Sequence, residues 1–154
     1  MDPKFPEKLI KGKITEAIFE QMFRDQGEFD VIRNGYEYKT PELAQNLLSL
    51  DHKEYINKLR HAPDFILLSH DKKQVFLVEV KFRSKHDDNL VEEARRLNES
   101  YGPCYLFVAT HEKFYFQSCK DIVQNNAISE ELSSTWISNL LQDRYLTLLN
   151  TFIT

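Results

Sequence analysis

The run Val75-Phe76-Leu77-Val78-Glu79-Val80-Lys81-Phe82 constrains the fold of this chain more than any other segment. Rich in β-branched and aromatic side chains and preceded by the polar stretch His70-Asp71-Lys72-Lys73, it reads as a β-strand. Side chains alternate along a strand, so Val78, Val80 and Phe82 share a face that is apolar throughout and suited to packing under a helix. Leu77, Glu79 and Lys81 share the other face, which turns polar only toward the strand's end. A carboxylate and an ammonium in an otherwise buried strand are costly unless they bind something.

Pro63-Asp64 opens the preceding apolar run, Phe65-Ile66-Leu67-Leu68. With the polar turn between them, the two runs lie as neighbouring strands and Asp64 comes within reach of Glu79. Hard oxygen ligands of this kind suit Mg²⁺ or Mn²⁺, with waters filling most of the shell. Such an ion polarises a phosphoryl oxygen and lowers the pKa of a bound water. Lys81 then orients or deprotonates the nucleophile, or neutralises charge developing on the phosphorus centre. Taken singly, Glu-x-Lys is common on solvated sheet faces and Pro-Asp is common in turns. Their occurrence one hairpin apart favours the metal site.

The rest of the chain builds layers around these strands. A first helix is expected over 6–26, stopped by Gly27, with Ile10, Ile14, Ala17, Ile18 and Met22 on one face and Phe19 and Phe23 widening it. Glu16 lies off the centre of that stripe. A strand at 29–33 ends at the turn Asn34-Gly35, with Tyr36-Glu37-Tyr38 as its returning partner. Helix starts at Thr40-Pro41-Glu42 and at Asp51 predict a helical insert over about 38–61, before the motif strands.

Beyond the motif strands, a helix over 89–100 is capped by Asp88 and stopped by Gly102-Pro103. Strands follow at 105–109 and 114–117, then a C-terminal helix over 134–150 with Trp136, Leu140, Leu141, Tyr145 and Leu148 as its apolar face. The pattern is α/β: a mixed central sheet flanked by helices. At 154 residues it reads as a single domain with room for a sizeable core.

Composition excludes several alternatives. A net charge of −4 argues against a general DNA-coating protein. Cys104 and Cys119, both in or beside apolar runs, read as buried thiols of a reduced compartment, too few for a zinc site. Without a membrane-length apolar run or a signal peptide, a cytoplasmic location is expected. Glu92 and Glu93 read as a solvated helix face. Arg95 and Arg96 face a nucleic acid or pair with Glu92 and Glu99 at helical spacing. Phe114-Tyr115-Phe116 reads as core strand rather than a base-stacking platform. The histidines show no mutual ligand spacing, and His61 is notable only for its nearness to Asp64.

Pro63-Asp64 with Glu79-Val80-Lys81 resembles the signature of the PD-(D/E)XK nuclease superfamily, the restriction-endonuclease-like fold. Lys11-Gly12-Lys13-Ile14-Thr15-Glu16 is similar to the Lys-Gly-x-x-x-Glu start of the first helix in archaeal-type Holliday-junction resolvases, and 26–33 resembles the helix end and strand that follow. The resemblance implies a restriction-endonuclease-like core in which Glu16, Asp64 and Glu79 hold Mg²⁺ (or Mn²⁺) and Lys81 completes the catalytic set. It implies a metal-dependent endonuclease hydrolysing DNA phosphodiester bonds, selective for junction or branched DNA, and a homodimer because junctions take two cuts. Lys11, Lys13, Arg83 and Lys85 are the expected contacts to the phosphate backbone. The insert and the acidic charge depart from the compact, basic resolvases. Two alternatives stay open: an RNA-directed nuclease, and a catalytically silent nucleic-acid-binding or protein-interaction module of the same fold within a larger repair or defence complex.

Overall fold

The computed structural model describes residues 4–34, 62–84 and 89–153. Helix α1 (Phe5–Gln26) carries a proline in its first turn, where a missing N–H breaks no bond, and closes at Gly27. Gly27 adopts φ 76°, and its N–H donates to the Phe23 carbonyl at 3.2 Å. Glycine enters this left-handed region without steric cost. Gly27→Ala is therefore expected to destabilise the protein by about 1 kcal/mol, read as a lower urea midpoint; an unchanged midpoint would mean that the closure contributes nothing.

Among the described residues five strands form one sheet, in spatial order identical to chain order. Strands β1 (Phe29–Arg33), β2 (Phe65–Ser69) and β3 (Val75–Phe82) pair antiparallel; β4 (Cys104–Ala109) runs parallel to β3, and β5 (Phe114–Ser118) antiparallel to β4. Parallel neighbours need a crossover, which helix α2 (Asn89–Tyr101) provides. Helices α3 (Cys119–Asn125) and α4 (Asn139–Phe152) complete the layers.

Alternation in the strands sorts the core into two. Val78 and Val80 of β3, Phe65 and Leu67 of β2 and Phe107 of β4 pack against α1 and α4. Leu77, Leu106 and Val108 turn the other way, toward α2 and α3. The α/β class, with a mixed sheet flanked by helices, is as expected. Phe114 and Phe116 are core, and Cys104 and Cys119 are free and buried. The expected insert, the strand at 36–38 and the Asp88 cap lie outside the described residues; among those described, β1 pairs with β2.

Three expectations are corrected. The buried sector of α1 centres on Phe19 and Met22 and runs on through Thr15 and Glu16, while Ile10 is 59% exposed and Ala17 faces solvent. Among the described residues, the apolar side chains in the first turns of α1 meet no packed layer. The C-terminal helix begins at Asn139 rather than 134, because Ser138 caps it, accepting from the Leu141 N–H at 3.3 Å. Trp136 accordingly stacks in an aromatic cluster with Phe29 and Phe116, and Leu140 is 72% exposed while Leu149 is buried. Helix α3 was not expected, although Ser118-x-x-Asp121 is a capping pattern: the Ser118 hydroxyl accepts from the Asp121 N–H at 3.1 Å.

Candidate active site

The ladder between β2 and β3 ends with Phe65 opposite Val78, so the next pair along is Asp64 and Glu79. Such cross-strand neighbours bring their Cβ atoms to about 5 Å. Pro63 has no N–H with which to extend the ladder. The Asp64 side chain takes the place of a ladder carbonyl instead: Oδ2 accepts from the Val80 N–H at 2.9 Å. From the end of β1, the Asn34 N–H donates to the Asp64 carbonyl at 2.8 Å and its amide to the Pro63 carbonyl at 3.4 Å. The proline ends the strand pairing, and the aspartate turns that ending into a fixed carboxylate.

Glu79 is only 6% exposed. Burial pushes its pKa well above the usual carboxylate value, helped by the Asp64 charge and a hydrogen bond between the two carboxyl groups; Lys81 pulls it down and Glu93 up. Two carboxylates this close in a dry setting need a proton or a cation between them. Lys81 Nζ stands 3.7 Å from Glu79 Oε2 and 3.8 Å from Glu93 Oε1. Arg96 Nη2 lies 2.6 Å from Glu93 Oε1 and 3.7 Å from Glu79 Oε2. Burial opposes ionisation of Glu93, but Arg96 and Lys81 outweigh it and its pKa is lowered.

Glu16 arrives from α1, 8% exposed, with Lys13 Nζ 3.9 Å from its Oε2. Glu20, one turn further, is equally buried but closes on Arg24 at 2.8 Å and Arg33 at 2.5 Å, a structural tie between α1 and β1. Glu16, Asp64, Glu79 and Lys81 all line one cavity of about 750 Å³ at the carboxyl end of β3. Ligands in α/β sheets gather at such strand ends.

Lys11 and Arg83 line the same cavity. Lys11 is paired with Glu7 at 3.2 Å, and the Arg83 guanidinium donates to the Phe82 carbonyl at 2.9 Å. Lys13 is outside the lining and lies largely in solvent; Lys85 and His61 are outside the described residues. Lys8, unmarked in the sequence, Glu93, expected on a solvated face, and Arg96, left between a nucleic-acid contact and a helix pair, also line the cavity. Glu92 does face solvent and pairs with Arg95, but Glu93 is half-buried in the cavity wall, contrary to expectation. The signal was present: Asn89, Glu93 and Arg96 recur at i, i+4 and i+7, beside the apolar stripe Leu90, Ala94 and Leu97.

The donor set fits a hard divalent cation. Among the described residues no three acidic, histidine or cysteine side chains converge as a ligand cage. Mg²⁺ does not require one, since it binds through one or two carboxylates and keeps several waters. Asp64 and Glu79 would supply that pair, and Glu16 lines the same cavity. Among the described residues no helix is long and apolar enough to cross a membrane.

No protein-family description and no curated protein matches this chain. Among solved structures it is similar to Hjc, a Holliday junction resolvase of the archaeal hyperthermophile Archaeoglobus fulgidus. The two share 15% identity with a TM-score of 0.41 over 71% of this chain and 74% of that one. The chemistry of the site is read from its own residues, Asp64, Glu79 and Lys81 first among them.

Proposed function

We propose that the cavity is the active site of a metal-dependent endonuclease that hydrolyses DNA phosphodiester bonds. The observation that carries this reading is the carboxyl pair just past the end of the β2–β3 ladder, half-buried Asp64 hydrogen-bonded to buried Glu79, with Lys81 3.7 Å from Glu79. The pair destabilises the fold by itself, and a cation held by both removes that penalty. Asp64 is anchored by the Val80 N–H and Glu79 by its strand, so neither reorganises when the cation arrives. When bound, Mg²⁺ or Mn²⁺ supplies the charge that polarises the phosphoryl oxygen and acidifies the attacking water. Lys81, on the same face as Glu79, positions that water or balances charge building on the phosphate. Glu16, reaching the same cavity from α1, orients water there.

Lys8, Lys11 and Arg83 around the cavity pair with backbone phosphates. With a net charge of −4 elsewhere unfavourable to DNA, binding is confined to this site rather than spread over the surface. For branched DNA, two cuts require two copies of the chain, hence a homodimer.

Incubation with Mg²⁺ or Mn²⁺ and linear, branched and single-stranded DNA, with RNA in parallel, tests the proposal. Cleavage of DNA should depend on the cation, stop on chelation and slow by about a hundredfold in Lys81→Ala. Full activity of Lys81→Ala would locate the chemistry elsewhere, and cleavage of RNA alone would reassign the substrate. One observation favours a silent binding module instead: Glu79, Glu93, Lys81 and Arg96 form a closed set of ion pairs that can serve as a structural tie. Binding of DNA without turnover under either cation would support that reading.

A further inference from the structure

Arg96 is the cavity-wall cation whose position the proposed hydrolysis leaves unexplained. It sits on α2, half-buried, hydrogen-bonded to Glu93 at 2.6 Å. Its separation from Glu79, 3.7 Å, is beyond hydrogen-bonding distance: a charge contact without a directional bond. We infer that Arg96 is a phosphate-binding residue held in reserve, which balances Glu79 in the cation-free protein and turns to the substrate phosphate once a divalent cation occupies the carboxylate pair. This rests on the nuclease reading of the site and adds to it the group that couples cation binding to substrate binding.

The charge balance around Glu79 gives the direction. In the ion-pair cluster around Glu79, the carboxylates of Asp64, Glu79 and Glu93 stand against Lys81 and Arg96, while Glu16, Lys8, Lys11 and Arg83 line the same cavity. A divalent cation adds two positive charges beside Glu79, which shifts the cluster toward holding an anion such as a phosphodiester. The cation also screens Glu79 from Arg96, weakening that charge contact. Glu93, three residues earlier on the same helix, keeps the guanidinium aimed at the cavity while it changes partner. Of the two cations, Lys81 stands on the strand between Glu79 and Glu93, at 3.7 and 3.8 Å, charge contacts of the same length as that of Arg96 to Glu79. Arg96 has the longer reach and a planar fork that can place two parallel N–H groups on two phosphate oxygens. The cavity, about 750 Å³, leaves room for that turn.

Calorimetric titration with Mn²⁺, and fluorescence anisotropy of a short DNA duplex in Ca²⁺ with its integrity checked on a gel, test the inference on Arg96→Gln. Mn²⁺ should bind several-fold tighter, because a competing positive charge is gone. DNA should bind about tenfold more weakly in Ca²⁺, the scale of one lost charge-assisted contact, and be little changed in chelator. A purely structural role for Arg96 would instead weaken both ligands together. Mn²⁺ affinity that is unchanged or weaker, or DNA affinity equal to wild type, overturns the inference. Should Arg96→Gln fail to fold, Arg96→Lys decides: it keeps the charge and loses the fork, so Mn²⁺ affinity should match wild type while DNA affinity in Ca²⁺ falls, and undiminished DNA affinity overturns the inference. A wild-type protein that binds no divalent cation sinks the nuclease reading together with this one. A wild type that binds Mn²⁺, with Arg96→Gln altering neither ligand, sinks this one alone.

Discussion

Glu79→Gln is expected to cut DNA hydrolysis by at least about a thousandfold while making the cation-free protein more stable at neutral pH. The carboxamide keeps the shape of the side chain and removes the anionic oxygen that a hard cation requires. The gain in stability follows from the same position. Burial and the neighbouring Asp64 raise the pKa of Glu79 well above its usual 4.5, so the folded state holds this proton more tightly than the unfolded state does. Stability from such a group is complete below the unfolded value and is lost as pH rises through the folded one. Without divalent cations, the wild-type melting temperature should therefore decline from about pH 4.5 upward, and that of Glu79→Gln should lack this decline. Adding Mg²⁺ should restore the wild type and leave the variant unmoved, since only the wild type has a site to fill. Thermal scans across pH, with chelator and with Mg²⁺, read both effects. A variant less stable than wild type in chelator would mean that the contacts to Lys81 and Arg96 outweigh repulsion from Asp64, making Glu79 a structural salt-bridge acid.

Phe19→Ala should cost about 3–5 kcal/mol, the range for removing a buried phenyl ring, out of a total that for a typical domain is about 5–15 kcal/mol. Phe19 is fully buried, with its ring centroid 4.6 Å from Phe23, 4.9 Å from Phe65 and 5.1 Å from Phe107. One side chain thus joins α1 to β2 and β4. It also stands three residues after Glu16, on the same side of the helix, so the packing that holds Phe19 holds that carboxylate in the cavity wall. Urea unfolding gives the stability loss, and cleavage below the variant's transition should fall as well, because Glu16 is no longer held in register with Asp64 and Glu79. Phe19→Leu refills most of the space and should recover most of both. A loss under about 1 kcal/mol would mean that α1 is not locked onto the sheet through this residue.

The strands, and the two carboxylates they carry, were legible because their signals are local. Alternation in 75–82 placed Glu79 and Lys81 on one face, and the polar turn before it made the neighbouring strand antiparallel, with Asp64 at its start. Gly27 marked the end of α1 for an equally local reason, a backbone angle that glycine adopts freely. Where local signals competed, a distant contact chose between them. Ser134 and Ser138 are both capable caps, and the later one is used because the Ser138 N–H is also held by Gln26 Oε1 at 2.9 Å, a contact across the whole chain.

The sequence by itself determined the α/β class, the places of the described strands along the chain, the sites of α1 and α2, and the nearness of Asp64 to Glu79. Each follows from the period of side chains or from a residue's own backbone preference. Only the tertiary structure decided that Ile10 is exposed and Glu16 buried, that Glu20 is a tie to Arg33 rather than part of the cavity, and that Glu93 and Arg96 face Glu79 while Glu92 and Arg95 face water. The helical period narrows a residue to a sector of its helix. Which sector meets a cavity depends on where the sheet ends beneath it, and that is set by the packing of Phe19, Phe65 and Phe107 between elements far apart in the chain.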